Sequence, residues 1–441
     1  MRFRIGKACS VLAAGVALCA FAAAAAWEPG EPVVTYWGGP GWMCNSPVCP
    51  PLDETWVRQL KEGGFNTAWA SVPADLDLLA KYGMRAIYRP AALCGRRDLN
   101  DPAKVAAMAE AVAAAKGHPA LYVYSLADEP PATAFQEVSR LVEWLRRQDP
   151  DHAAWVNLLP TYANHQQLGV GGKEGEAKRF GFANDIIASY WEHVRLFGEI
   201  VRPAFLSYDH YQFRTSGDTS NYFLNLGIIR QSASARRLPF WNGVQACTWT
   251  PGKLASPRSP RIPGPGEMRF LVYSTVAYGA QGIYYYCYAR KGHDGTIVAL
   301  DGTPDAKYEA LKEANRAFVA ISKELAPLDF TGAYFQGLHA PGTTPYCGQA
   351  LLRIAPETPY AELQPLQELT DTTLVTRFDA PGKPTHLMVV NCDYRKDRTL
   401  HIKAPSATDR FDALAGAWSN VGNEFDLALA GGGGVLLRLG K

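Results

Sequence analysis

Asp128 and Glu129 close the run Tyr122-Val123-Tyr124-Ser125-Leu126-Ala127, which is apolar or β-forming throughout and is cut off by Pro130 and Pro131. A strand without polar alternation is one buried on both faces of a parallel sheet. Neither proline can donate to a ladder, so the strand ends there. Two carboxylates are thereby delivered to the carboxyl edge of a buried strand, where α/β folds gather ligands and reactive groups. A further acid, Asp209, follows Phe205-Leu206-Ser207-Tyr208 and is itself followed by His210 and Tyr211. Toward the ends of other strand-like runs stand Trp37, Arg89, Asn157, Gln245 and Tyr286, and Trp249 lies just beyond Gln245.

Two acids facing each other across an aromatic-walled cleft form the layout that cleaves a glycosidic bond. One carboxylic acid protonates the leaving oxygen, and the other carboxylate serves as base or nucleophile. Aromatic faces stack on sugar rings, and amides grip hydroxyls. In this reading Glu129 is the general acid, its pKa raised by Asp128 or by desolvation. Asp209 is the second carboxylate, short enough to stand back and hold a water. Trp37, Arg89, Asn157, Tyr208, Tyr211, Gln245, Trp249 and Tyr286 are the expected substrate contacts. Plainer readings stand beside these. Asp128 could cap a helix opened by Pro130, Asp209 could be a turn residue, and Gln245 could be a satisfied core amide.

The elements that must position these residues alternate. Strand patterns fall at 33–37, 66–72, 85–90, 120–127, 153–159, 204–208, 239–245 and 282–288, and helical patterns lie between and after them. Asp101-Pro102 reads as an N-cap with proline in the first turn. Eight β-then-α units in one run predict a (β/α)8 TIM barrel over 27–328. An open doubly wound sheet needs no eighth unit, and the G-x-G-x-x-G turn that often marks one is absent. From 329 to 441 the texture changes to short strand-like runs split by Pro, Gly, Asn and Asp, which predict a small all-β sandwich domain.

The chain has 441 residues, 47% hydrophobic and 20% charged, as suits a globular protein with a large core. Arg2, Arg4 and Lys7, then the apolar stretch from Val11 to Phe21, then Ala22 to Ala26, read as a signal peptide over 1–26. A secreted or periplasmic protein starting near Trp27 is the expectation. The formal charge of +2 falls to −1 without those three basic residues. That balance gives no electrostatic case for a nucleic-acid partner. No later apolar run is long enough to span a membrane. Seven cysteines remain after the signal, an odd number. Cys44 and Cys49 flank one loop and are the best candidate disulfide, with Cys94 a rival partner. No metal or other cofactor is expected, because the histidines form no ligand-spaced pair.

The run Tyr124-Ser125-Leu126-Ala127-Asp128-Glu129-Pro130 occurs together with Arg269 and with Ala277-Tyr278-Gly279-Ala280-Gln281-Gly282-Ile283-Tyr284-Tyr285-Tyr286. This pairing resembles the TIM-barrel glycoside hydrolases, in the broad clan that includes the family 42 β-galactosidases. The resemblance implies an acid/base role for Glu129, an oligo- or polysaccharide substrate and a β-domain after the barrel. The clan's nucleophile is a Glu ending the seventh strand, and here Gln245 stands there. Asp128 replaces the usual Asn. Asp128-Glu129 and Tyr208-Asp209 are also similar to features of chitinase-like and hexosaminidase-like barrels, in which the substrate's own acetamido group attacks. A non-catalytic carbohydrate-binding barrel is the remaining alternative, and Gln245 is the feature that favours it.

Overall fold

The computed structural model describes residues 27–42, 48–95, 97–171, 185–250, 259–340, 342–346, 351–364 and 366–440. The signal-like segment 1–26, Cys44 and Cys347 lie outside them.

Eight strands run parallel: β1 (Val33–Trp37), β2 (Thr67–Ala70), β3 (Arg85–Tyr88), β4 (Leu121–Asp128), β5 (Ala153–Asn157), β6 (Leu206–His210), β7 (Phe240–Gln245) and β8 (Gly282–Tyr286). They pair as two four-stranded sheets, β2-β3-β4-β5 and β6-β7-β8-β1. Single contacts join the sheets at both seams. Leu158 N donates to Ser207 O at 2.8 Å between β5 and β6, and Asn66 N donates to Val34 O at 3.2 Å between β1 and β2.

Helices separate the strands, and several start on acidic caps. Asp53 accepts from the Trp56 amide, Asp101 from Ala103 and Lys104, and Asp185 from Ile187 and Ala188. Such a side chain satisfies first-turn amides that have no partner within the helix. The helix after β4 is preceded by a tight turn, Ala132–Ala134, and runs from Phe135 to Gln148. The helix Ile186–Leu196 ahead of β6 ends in a single wide turn, Phe197–Val201.

The strand interior is filled by large rings rather than aliphatic layers. Trp37 packs edge-on against Trp69 and Trp155 at 5.3 and 5.2 Å, and Trp155 packs against Trp241 and Tyr284, both at 5.3 Å. Gly243 on β7 makes room for one of them, since a Cβ there would lie 2.2 Å from the Tyr284 ring. The tyrosine can therefore cross the interior toward β5.

Beyond the helix Lys307–Leu325, the chain is all β. Its strands form one eight-stranded hydrogen-bonded sheet, and Leu338–His339 pairs separately with Ala361–Glu362. Its long strand Arg398–Asp412 pairs with Arg353–Ala355 through its first half and with Gly434–Leu439 through its second. A register shift between Lys403 and Thr408 separates the halves. Bulges of this kind bend a strand and let one sheet fold over its own apolar face. That face buries Leu352, Val389, Leu400, Leu427 and Leu437. The opposite face packs on the helix Pro265–Ala277, and Arg269 Nε donates to Gly431 O at 2.9 Å. Tyr394 OH reaches the rim and donates to Asp218 at 2.7 Å. Asp218 belongs to a two-residue-strand hairpin, Phe213–Arg214 with Gly217–Asp218, that follows β6.

Candidate functional site

At the carboxyl edge of the strands, β4 departs from a regular ladder. Ser125 pairs with Trp155 and Ala127 with Val156, which leaves Leu126 extra. A bulge beside a site re-aims the side chains that follow it. Asp128 then pairs with Asn157, and Glu129 N donates to Asn157 O at 2.9 Å. Glu129 has φ 47°, in the left-handed region that a residue with a Cβ adopts only when its surroundings require it. The turn breaks the strand's alternation, and both carboxyl groups stay at the rim.

Asn157 is the hub that joins the acids. Its Nδ2 donates to Asp128 Oδ1 at 3.2 Å and to Asp209 Oδ2 at 2.9 Å. Its Oδ1 accepts from Tyr284 OH at 2.6 Å and from Ser207 Oγ at 3.1 Å, and Ser207 in turn accepts from Trp155 Nε1 at 2.8 Å. The amide is thus fixed by strands β5, β6 and β8 at once. Tyr211 OH donates to Asp209 Oδ2 at 3.3 Å, and the Tyr211 amide donates to Tyr162 OH at 3.1 Å.

The three acids differ in their surroundings. Burial, and after it the Asp128 charge, raises the Glu129 carboxyl to about 7. Burial also raises Asp128, but the Asn157 amide and the charges of Arg89 and Arg290 pull it back. Asp128 opens to solvent on one side and is walled by protein on the others. Burial pushes Asp209 well above the usual carboxylate range, and the Glu129 and Asp128 charges add to the shift. Among the three, Asp128 has the strongest support for its charged form, and Glu129 titrates close to neutrality.

An aromatic wall stands beside the acids. The Tyr211 ring lies 5.1 Å from Trp249 and 5.2 Å from Tyr286, and Trp249 and Tyr286 are 5.5 Å apart. Tyr286 OH is 2.9 Å from His293 Nε2. Arg214 lies over the Tyr162 and Trp249 rings, and Arg290 over Trp42.

Four expected contacts or roles are corrected. Gln245 is fully buried and its amide is consumed. Oε1 accepts from the Phe213 amide at 2.9 Å, and Nε2 donates to Phe213 O at 3.1 Å and to Arg261 O at 2.6 Å. It anchors the hairpin and presents nothing to a ligand. Tyr208 faces outward from β6 and is buried near Tyr190, Tyr222 and Tyr278, because it alternates with the inward Ser207 and Asp209. Trp37 is buried in the interior ring stack and forms floor rather than wall. Asp209 is only 4% exposed, and its Oδ1 is closed off from solvent with no hydrogen bond among the described residues. Its Oδ2 is taken by Asn157 Nδ2 and Tyr211 OH, and the carboxyl group stands behind the cleft.

Cys49, Cys247, Cys287 and Cys392 are buried free thiols, so the Cys44–Cys49 pair is not formed, whereas Cys94 is disulfide-bonded. Tyr162, Ser207, Arg214 and Arg290 escaped the sequence reading, since they lie in no motif and are brought in only by the closure of the strands. Among the described residues, no group of three His, Cys, Asp or Glu side chains is placed to hold a metal ion. No helix among them is long and apolar enough to cross a membrane.

No protein-family model matches the chain, and no curated protein matches it. Solved structures similar to it include glycoside hydrolases. A polyextremophilic β-galactosidase from the Antarctic haloarchaeon Halorubrum lacusprofundi is 13% identical, with a TM-score of 0.42 over 65% of this chain and 58% of that one. A glucosidase from Croceicoccus marinus is 11% identical, with a TM-score of 0.41 over 93% of this chain and 96% of that one. A β-glucuronidase from Bacteroides uniformis is 12% identical, with a TM-score of 0.40 over 89% and 46% of the respective chains.

Proposed function

We propose that the protein is a secreted glycoside hydrolase built on a (β/α)8 barrel, with Glu129 as general acid and Asp128 as its ionised partner. The observation that carries this reading is the split between two neighbouring acids on one strand end. Burial raises both, Glu129 to about 7 with the Asp128 charge adding to it, whereas at Asp128 the Asn157 amide and the charges of Arg89 and Arg290 oppose the rise. A carboxyl group that titrates near neutrality beside a carboxylate supported in its charged form is what acid-assisted cleavage of a glycosidic bond requires. Glu129 gives its proton to the departing oxygen as the bond to the anomeric carbon breaks. Asp128 takes a proton from the attacking water, and that water supplies the new hydroxyl. Tyr211, Trp249 and Tyr286 offer ring faces to the sugar. Asp209 acts through Asn157 as a positioning residue.

One observation favours a second reading, substrate-assisted cleavage of 2-acetamido sugars. Gln245 and Asp209 are both withdrawn from the cleft, so β6 and β7 present no nucleophile. Asp128 would then orient the acetamido group while its oxygen attacks. Proton NMR of the anomer first released from a panel of alkyl glycosides tests both. An inverted product from 2-hydroxy sugars supports Asp128 as base. Retention with strict dependence on a 2-acetamido group selects the second reading. No hydrolysis of any glycoside would refute the activity and leave a carbohydrate-binding barrel.

A further inference from the structure

We infer that the all-β region is a working part of the cleft, and that Tyr394 is a positioning residue that sets the aromatic wall for substrate by holding the hairpin Phe213–Asp218. This rests on the glycosidase reading and names the residue through which the second region acts on binding. The hairpin has two residues in each strand, with Phe213 opposite Asp218 and Arg214 opposite Gly217. A hairpin that short does not hold itself. The barrel grips one side of it. Gln245 takes the Phe213 amide and carbonyl, and Thr215 N donates to Ser259 O at 3.0 Å. The all-β region grips the other. Tyr394 OH donates to Asp218 Oδ2 at 2.7 Å, and the Tyr394 ring packs edge-on to Phe213 at 5.7 Å. Gly217 has φ 122°, and a Cβ there would collide with Leu366 O, so the turn is shaped to the backbone that crosses it.

Packing alone does not account for this joint. Asp218 is 1% exposed, and it also accepts from Gln212 Nε2 at 3.2 Å and pairs with Arg261 at 3.4 Å. Burying a carboxylate costs more than burying an apolar side chain, and its several directed bonds fix a geometry that apolar contact would not. What the joint fixes is Arg214, opposite the turn glycine. The Arg214 guanidinium carbon lies 5.3 Å from the centre of the Tyr162 ring and 6.0 Å from that of Trp249. Trp249 meets Tyr211 and Tyr286, and the Tyr211 amide donates to Tyr162 OH. Arg214 therefore ties together the two flanks of Tyr211, the ring whose hydroxyl bonds Asp209. The path from Tyr394 to the sugar-facing rings runs through direct contacts.

Steady-state kinetics and hydrogen–deuterium exchange on the full-length chain test this, with Tyr394→Phe set against Tyr346→Phe. Each variant loses a hydroxyl bond within the all-β region. Tyr346 OH donates to Leu352 O at 2.9 Å and its ring packs near Tyr334, so it has no part in the hairpin. The probes are the 4-nitrophenyl β-glycosides of glucose, galactose and N-acetylglucosamine. Tyr394→Phe should raise KM about fivefold and leave kcat within about twofold, because binding is disturbed and the acid pair is not. Exchange of the amides of 213–219 should quicken in the same variant, about tenfold, as a released segment does. Tyr346→Phe should change neither. An unchanged KM in Tyr394→Phe, on a probe that is turned over, overturns the inference while the glycosidase reading stands. An equal rise of KM in Tyr346→Phe, or hairpin exchange that stays native in Tyr394→Phe, assigns the effect to general stability and overturns it as well. If none of the three probes is turned over, the glycosidase reading fails for these sugars and the inference falls with it.

Discussion

The two ends of the strands carry different kinds of vacancy. At the amino ends lies a cavity of about 950 Å3 lined by Trp27, Arg230, Arg237, Gln281, Phe330 and Phe378 among others. Its polar groups are ordinary. Arg230 is lowered to about 10 by burial but stacks on Phe240 and Phe330. The carboxyl ends combine a bulge in β4, a left-handed Glu129, three interacting acids and one amide shared between two of them. Perturbed protonation and local strain gather at the carboxyl ends, where the proposed reaction is placed.

Substitutions at each end can break that contrast. The largest effect is expected at Glu129. Glu129→Gln should lower kcat on alkyl glycosides by at least ~100-fold while substrate still binds, because general acid catalysis is worth ~10²–10⁴. Turnover of activated aryl glycosides should fall far less, and near-native alkyl turnover would remove Glu129 from the role. Asn157→Ala comes next. It strips partners from Asp209 and from the Tyr284 and Ser207 hydroxyls, so denaturant unfolding should show a loss of ~1–3 kcal/mol for the stranded groups together with a fall in kcat. An unchanged kcat would show that the hub is structural only. Gly243→Ala drives a methyl into the Tyr284 ring and should cost ~1–3 kcal/mol as overpacking, read from the same unfolding curves. At the amino ends, Gln281→Ala should leave kcat/KM within about twofold, as for most substitutions away from special features. A large loss there would erase the difference between the two ends.

Much of the reactive end was legible in the sequence because its signals are local. The apolar run stopped by two prolines places Asp128 and Glu129 at a strand end with no tertiary knowledge. Asn157 and Tyr211 also follow from strand-end position. What the sequence hid depends on direction and closure. Tyr208 and Asp209 are adjacent, and only the phase of β6 decides that one faces helices and the other Asn157. The bulge at Leu126 has no residue signature. Gln245 looked available because nothing in the sequence shows that the hairpin Phe213–Asp218 would bring backbone groups to meet it. The strand Ala417–Leu429 went unread because its largely exposed residues, among them Asn420, Asn423 and Glu424, dilute the alternation.

The claim that Glu129 is a proton-bearing acid at neutral pH is tested most directly by carboxyl carbon NMR titration of Glu129, in the native chain and in Asp128→Asn. The native group should titrate near about 7, above its ordinary 4.5. Its folded form holds the proton more tightly than the unfolded chain does. The contribution to stability is therefore full below about 4.5 and is lost as pH rises through about 7, and the acid's activity fails over the same alkaline rise. Removing the Asp128 charge removes the smaller of the two raising causes, so the midpoint in Asp128→Asn should fall but stay above 4.5. A native midpoint near 4.5, unchanged in Asp128→Asn, would contradict the account.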